Sequence, residues 1–235
     1  MNRPLSLTVW IWLMTVVLVV AFTPFDSHLS EWAQGLPEEI VGFNRAITDI
    51  GTFAWMIYSS ALLLLIAFVV RRSSARDTLR QRARAARNLS AYFLLTIGTA
   101  SVLVHGLKFL IGRARPELLA DYGPYSLTPF TGDTLFESFP SGHSTAAGAF
   151  FGAFAMVMPQ LRPLFLLLAL LVGISRVVVG AHYPSDVAAG LLLGLWVALM
   201  MAFVFARQGW LFKLGAAGWP VLRHVEHEAK ERGAE

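Results

Sequence analysis

Residues 89–111, LSAYFLLTIGTASVLVHGLKFLI, carry no charge before Lys108. At about 1.5 Å per helical residue the stretch crosses the ~30 Å hydrocarbon core of a bilayer. Comparable apolar runs stand at 5–22, 53–70, 144–158, 164–179 and 187–206. Of 235 residues, 56% are apolar and 14% charged, where a soluble domain has roughly 45–50% and about 25%. That balance excludes a disordered chain, a coiled coil and an ordinary soluble enzyme. The length accommodates six spans with short connections and no second domain. The expected fold is therefore all-α: a polytopic membrane bundle of six transmembrane helices within a single domain over 1–235. The runs at 144–158 and 164–179 are short, and on hydropathy alone either also fits a buried soluble helix. The first run follows Met1-Asn2-Arg3 and lacks a small-x-small cleavage site near its end, so it reads as a retained anchor. The chain has no cysteine, which excludes disulfides, cysteine zinc sites and thiol nucleophiles.

Charge placement orients the bundle. The segment 71–88 holds Arg71, Arg72, Arg76, Arg80, Arg82, Arg84 and Arg87 against the single acid Asp77. Arg162 lies in the 159–163 turn, and Arg207, Lys213, Arg223, Lys230 and Arg232 follow the last run. The alternate connections carry Asp26, Glu31, Glu38, Glu39, Asp49, Glu117, Asp121, Asp133 and Glu137, with Arg45, Arg113 and Arg115 as their bases. Basic loops are retained in the cytoplasm. This places both termini and a basic loop at about 71–88 on the cytoplasmic side, and the other ends of the helices on the outer side. The net charge of +4 would point to nucleic acid in a soluble protein, but topology accounts for these arginines without such a partner. Within the outer segment of about 25–52, Ile40, Phe43, Ile47 and Ile50 recur at helical spacing. Residues 30–50 thus read as an amphipathic interfacial helix. Residues 112–139, rich in Pro, Gly, Thr and acids, read as an irregular loop.

Ionisable groups at the ends of membrane helices are costly and mark function. Lys108, Arg113, Arg115, His143, Arg176, His182 and Asp186 all fall at the outer ends of helices three to six. The set suits phosphoryl transfer. Lys108, Arg115 and Arg176 supply three positive charges for a phosphate dianion. Lys108 and Arg115 share a helical face if the helix runs on to Pro116. In Pro140-Ser141-Gly142-His143, Ser141 offers a hydroxyl, and Gly142 lets backbone N–H groups approach an anion at a helix N-terminus. Two histidines remain, one for attack on phosphorus and one to protonate the leaving oxygen. His182, four residues before Asp186, is in reach of a carboxylate that orients its ring. His143, without such an acid, is the better proton donor. Arg113 is assigned no catalytic role and reads as a headgroup or surface contact; His105 reads as structural.

Lys108-x6-Arg115-Pro116, Pro140-Ser141-Gly142-His143 and Ser175-Arg176-x5-His182-x3-Asp186 together resemble the three-part signature of the type 2 phosphatidic acid phosphatase superfamily. Every motif position is filled, in the family's order, over 108–186. The resemblance implies that His182 forms a phosphohistidine and that Asp186 holds it. It further implies that His143 protonates the departing lipid oxygen and later activates water. Lys108, Arg115, Ser141, Gly142 and Arg176 would then hold the phosphate oxygens. The resemblance implies no metal or other cofactor, and no carboxylate cluster suited to Mg²⁺ stands beside the motifs. Asp133 and Glu137 alone come near, and they read as loop solvation or substrate selectivity.

The implied activity is hydrolysis of a lipid phosphate or pyrophosphate. The segment TPFTGDTLFESFPSGHS is most similar to bacterial lipid A 1-phosphatases and phosphatidylglycerophosphatases. Phosphatidic acid and undecaprenyl pyrophosphate are the alternative substrates. A transporter or flippase would use the same basic cluster differently, but transport sites lie near the bilayer midplane, whereas these residues collect at one interface.

Overall fold

The computed structural model describes residues 3–223. Its helices are α1 (Arg3–Phe22), α2 (Asp26–Gln34), α3 (Glu38–Asp49), α4 (Phe53–Ser73), α5 (Asp77–Ile111), α6 (Leu119–Tyr122), α7 (Gly142–Val157), α8 (Arg162–Val178) and α9 (Pro184–Arg207). A small antiparallel hairpin, β1 (Phe212–Leu214) and β2 (Pro220–Leu222), follows α9. Lys230, Arg232, Met1 and Asn2, which entered the charge reading, lie outside the described residues.

Among the described residues five helical stretches are long and apolar enough to cross a membrane: Ser6–Gln34, Glu38–Ser73, Asp77–Ile111, Pro159–Val178 and Pro184–Arg207. The anticipated sixth, α7, has 16 residues. At about 1.5 Å each it falls short of the ~30 Å core. It sits inside the bundle, packed on α5, α8 and α9, and its side chains from Ser144 to Ala149 are all buried.

Small residues let α7 and α9 approach closely. A Cβ on Gly190 would lie 2.5 Å from the Ser141 carbonyl oxygen, and one on Gly194 would lie 2.2 Å from that of Thr145 and 2.5 Å from the Ala149 nitrogen. Lipid offers no hydrophobic drive for helices to associate, so close van der Waals packing of this kind holds them together. The obstructing atoms at Gly194 are backbone, so relief requires the helices to separate. Gly194→Ala is expected to cost about 3 kcal/mol, although alanine is the better helix former. The check is thermal unfolding in detergent, where a midpoint at or above that of wild type would contradict this packing.

Two sequence-based expectations are corrected. The arginine-rich segment is not a loop over its whole length, because α5 begins at Asp77. Arg, Ala, Leu and Gln are good helix formers, and the helix extends beyond the apolar run. Residues 30–50 do not form one helix: α2 and α3 are separated at 35–37, where Gly35 and Pro37 interrupt the helical pattern. At the opposite end from the motifs, Tyr92 is fully buried among Phe93, Phe205 and Phe212, and its hydroxyl donates to the Ala198 carbonyl at 2.9 Å. α1 joins the bundle by packing on α9, with the Trp12 and Trp196 rings 5.6 Å apart.

Candidate active site

The C-terminal ends of α5 and α8 meet the N-terminal ends of α7 and α9. The Ser141 N–H, just before α7, donates to the Asp186 carbonyl on α9 at 3.0 Å. The His182 N–H, just before α9, donates to the Arg176 carbonyl on α8 at 3.3 Å. α5 does not continue to Pro116, as the shared-face reading of Lys108 and Arg115 required. It ends at Ile111, with Gly112 in the left-handed region at φ 63°. A Cβ there would lie 1.9 Å from the Thr128 carbonyl oxygen, so the turn admits only glycine. Beyond it residues 113–115 run against the segment 126–135, with Ala114 N–H donating to Ser126 and Arg115 N–H to Leu135.

Lys108, Arg115 and Arg176 nevertheless converge, because each acts electrostatically on the others or on His143. Lys108 is buried in the last turn of α5 and donates to the Glu137 carbonyl. Arg115 is half-buried and donates from Nε to the Thr134 carbonyl at 2.8 Å. Arg176 is buried, and its Nε has no hydrogen-bond partner among the described residues. Among the described residues none of the three lies within salt-bridge distance of a carboxylate. Gathering three such charges is unfavourable unless an anion joins them. Asp49, at the end of α3, partly offsets Arg176, and Thr48 ties α3 to α8 through a 2.7 Å hydroxyl contact with Ser175.

Ser141 caps α7. Its Oγ accepts from the Ser144 hydroxyl at 2.9 Å, and the cap approaches the Ser144 N–H at 3.5 Å. Gly142 faces Lys108: a Cβ there would lie 3.7 Å from Cε of Lys108. His143 is half-buried under the influence of Arg176, Lys108 and Arg115.

His182 is only 2% exposed, with Nδ1 at 3.7 Å from Oδ2 of Asp186. That is slightly too long for a hydrogen bond. Burial outweighs the pull of Asp186 and holds the imidazole below its usual range, so His182 rests neutral. Asp186 is fully buried and accepts three hydrogen bonds: from Ser138 Oγ at 2.6 Å, from the Tyr183 N–H at 2.9 Å and from Arg113 Nη1 at 2.5 Å.

The last of these corrects the reading of Arg113 as a headgroup or surface contact. Arg113 is 6% exposed and bridges two carboxylates, with Nη2 donating to Asp26 at 2.8 Å as Nη1 donates to Asp186. It also donates to Ser185 Oγ at 2.7 Å and twice to the Pro124 carbonyl, and its guanidinium lies 4.3 Å over the Tyr183 ring. Burial opposes its charge, but Asp186 and Asp26 more than compensate and keep its pKa above the ordinary arginine value. Asp26, counted from sequence as an outer-loop acid, is fully buried. The other loop acids near the motifs have local contacts: Asp133 caps the Leu135 N–H at 2.9 Å, and Glu137 meets Lys108 through its carbonyl.

The fold and the cation-rich end of the bundle define a phosphatase embedded in a membrane through several helices. Residues 89–210 match the PAP2 superfamily, and the chain belongs to it. It is similar to the "Lipid A 1-phosphatase" of Rhizobium johnstonii, at 42% identity over 88% of this chain and 84% of that protein. Similarity to the "Lipid A 1-phosphatase" of Rhizobium etli is also 42%, over 89% and 90%. A crystal structure of a transmembrane PAP2 type phosphatidylglycerolphosphate phosphatase from Bacillus subtilis superposes with a TM-score of 0.61 at 25% identity. The superposition covers 88% of this chain and 98% of that one.

Proposed function

We propose that this membrane lipid phosphatase removes the 1-phosphate of lipid A, working at the periplasmic face of a bacterial inner membrane. Both termini are cytoplasmic in this reading, in which α7, enclosed by α5, α8 and α9 and too short to span the lipid core by itself, serves as the sixth crossing inside the bundle. The observation that carries the chemistry is the meeting of Lys108, Arg115 and Arg176, without a carboxylate salt bridge among the described residues, beside His143 and the His182–Asp186 pair. Near-full-length similarity to two lipid A 1-phosphatases supports the substrate. Phosphatidylglycerophosphate is the second reading, supported by the Bacillus structure.

Lys108, Arg115, Arg176, Ser141 and the Gly142 backbone hold the phosphate oxygens and stabilise the charge spread over them during transfer. With Nδ1 toward Asp186, the Nε2 lone pair of His182 attacks phosphorus. The N–P bond forms as the P–O bond to the lipid breaks, and His143 gives its proton to the departing oxygen. Asp186 stabilises the positive charge that develops on the His182 ring. His143, now neutral, takes a proton from water, whose oxygen attacks phosphorus. The N–P bond then breaks, releasing inorganic phosphate and neutral His182.

Attack requires neutral His182. Burial lowers its pKa, so the neutral form persists as pH falls through the ordinary histidine value. The acid limb of kcat/KM, corrected for ionisation of the substrate phosphate, is expected below about pH 6.5. A His182 limb above that value would mean that the Asp186 charge outweighs burial.

The deciding assay is phosphate release in detergent micelles with EDTA. Wild type and His182→Ala are compared on lipid A, phosphatidylglycerophosphate, phosphatidic acid and undecaprenyl pyrophosphate. Fastest release from lipid A by wild type alone supports the proposal. Preference for another lipid reassigns the substrate, and release from none overturns the reading.

A further inference from the structure

Asp186 already has a full-strength countercharge in Arg113, 2.5 Å away. A carboxylate so neutralised is a poor partner for positive charge developing on His182. The structure offers a compensation. On its far side Arg113 also meets Asp26, and the Asp26 carboxylate accepts from the Ser185 N–H at 3.0 Å and the Ser185 hydroxyl at 2.6 Å. Asp26–Arg113–Asp186 is thus a buried row of two negative charges and one positive, with Asp186 at the end facing His182. All three side chains are almost wholly buried, so solvent screens the row weakly.

We infer that Asp26 is a positioning residue for catalysis. It draws on the charge of Arg113, leaves the row with one net negative charge, and lets Asp186 stabilise the cationic ring formed when His182 takes the phosphoryl group. Arg113 transmits this effect and fixes the Asp186 carboxylate by donating from one face of a rigid fork to both acids. Asp26 opens α2, outside the residues 89–210 that match the family. The contribution therefore comes from the N-terminal part of the chain. It rests on the proposed roles of His182 and Asp186. Asp26 touches neither His182 nor the three phosphate-facing cations through any observed hydrogen bond, so its effect belongs on turnover and not on substrate binding.

The test compares kcat and KM for wild type, Asp26→Asn, Arg113→Lys, Asp186→Asn and Tyr92→Phe. Asparagine keeps the size of Asp26 and an oxygen for Ser185 while removing the charge. Lysine at 113 keeps a charge without the two-sided fork, and serves should Asp26→Asn not fold. Tyr92→Phe removes a buried hydrogen bond at the opposite end of the bundle and controls for stability alone. Asp26→Asn is expected to lower kcat at least tenfold, with KM within threefold of wild type. Arg113→Lys is expected to do likewise, and Tyr92→Phe to keep wild-type kcat. Wild-type kcat in Asp26→Asn or Arg113→Lys, with Asp186→Asn strongly impaired, overturns the inference alone. So does an equal fall in Tyr92→Phe. Wild-type kcat in Asp186→Asn overturns the underlying assignment of His182 and Asp186.

Discussion

His182→Ala is expected to lower phosphate release by about 10³-fold or more, the scale on which removal of a covalent nucleophile acts. The side chain is buried at the meeting of four helix ends, where water has little access, and among the described residues no second imidazole stands beside Asp186. His143 does not substitute, because it lies on α7 and, among the described residues, has no carboxylate partner to hold its ring as Asp186 stands beside that of His182. Residual turnover above about a tenth of wild type would exclude His182 as nucleophile; smaller residual activity would be that of the proposed phosphate cradle, which the substitution leaves in place. Trapping labelled phosphate on wild type and not on the variant checks the same point independently of steady-state rate.

The largest expected loss of stability follows from Arg113→Met. Methionine approximates the length of the arginine stem but leaves Asp26 and Asp186, both fully buried, without their common cation. Breaking a buried ion pair by removing one partner costs about 3–5 kcal/mol, and here one cation serves two acids. The Pro124 carbonyl and the Ser185 hydroxyl lose their donor as well. Thermal unfolding in detergent is the measurement. Adding Asp26→Asn to Arg113→Met should recover part of the loss, since it removes one of the stranded charges. If the two substitutions simply add, they are not coupled through this row. Breaking the row and replacing it differ in kind: a complete apolar substitution can be nearly neutral for folding, and the deletion of one member cannot.

Much of the candidate site was legible because its residues stand in strings local to single helices. Lys108, Pro140-Ser141-Gly142-His143, Arg176 and His182-x3-Asp186 each stand at the edge of an apolar run. A charge at such a position is expensive enough to signal purpose without any knowledge of its neighbours. The count of crossings was less legible, since α7 is short and depends on α5, α8 and α9 for its place. Gly190 and Gly194 illustrate the same limit. Their spacing on one helix is visible, but whether a backbone lies 2.2 Å from an added Cβ is a property of the partner helix.

By itself the amino-acid sequence determined that the chain folds as membrane helices, and it named the ionisable residues of the motifs that folding gathers at one end of the bundle. Hydrophobic length and the cost of burying charge act residue by residue and need no three-dimensional contact to be read. Only the tertiary structure decided what Arg113 and Asp26 do. They are 87 residues apart, one in a turn and the other at the start of α2, and each alone looks like an ordinary surface charge. Their meaning arises when folding buries both beside Asp186, because the energy of a charge is set by its dielectric surroundings and its partners, and those exist only once the bundle has closed.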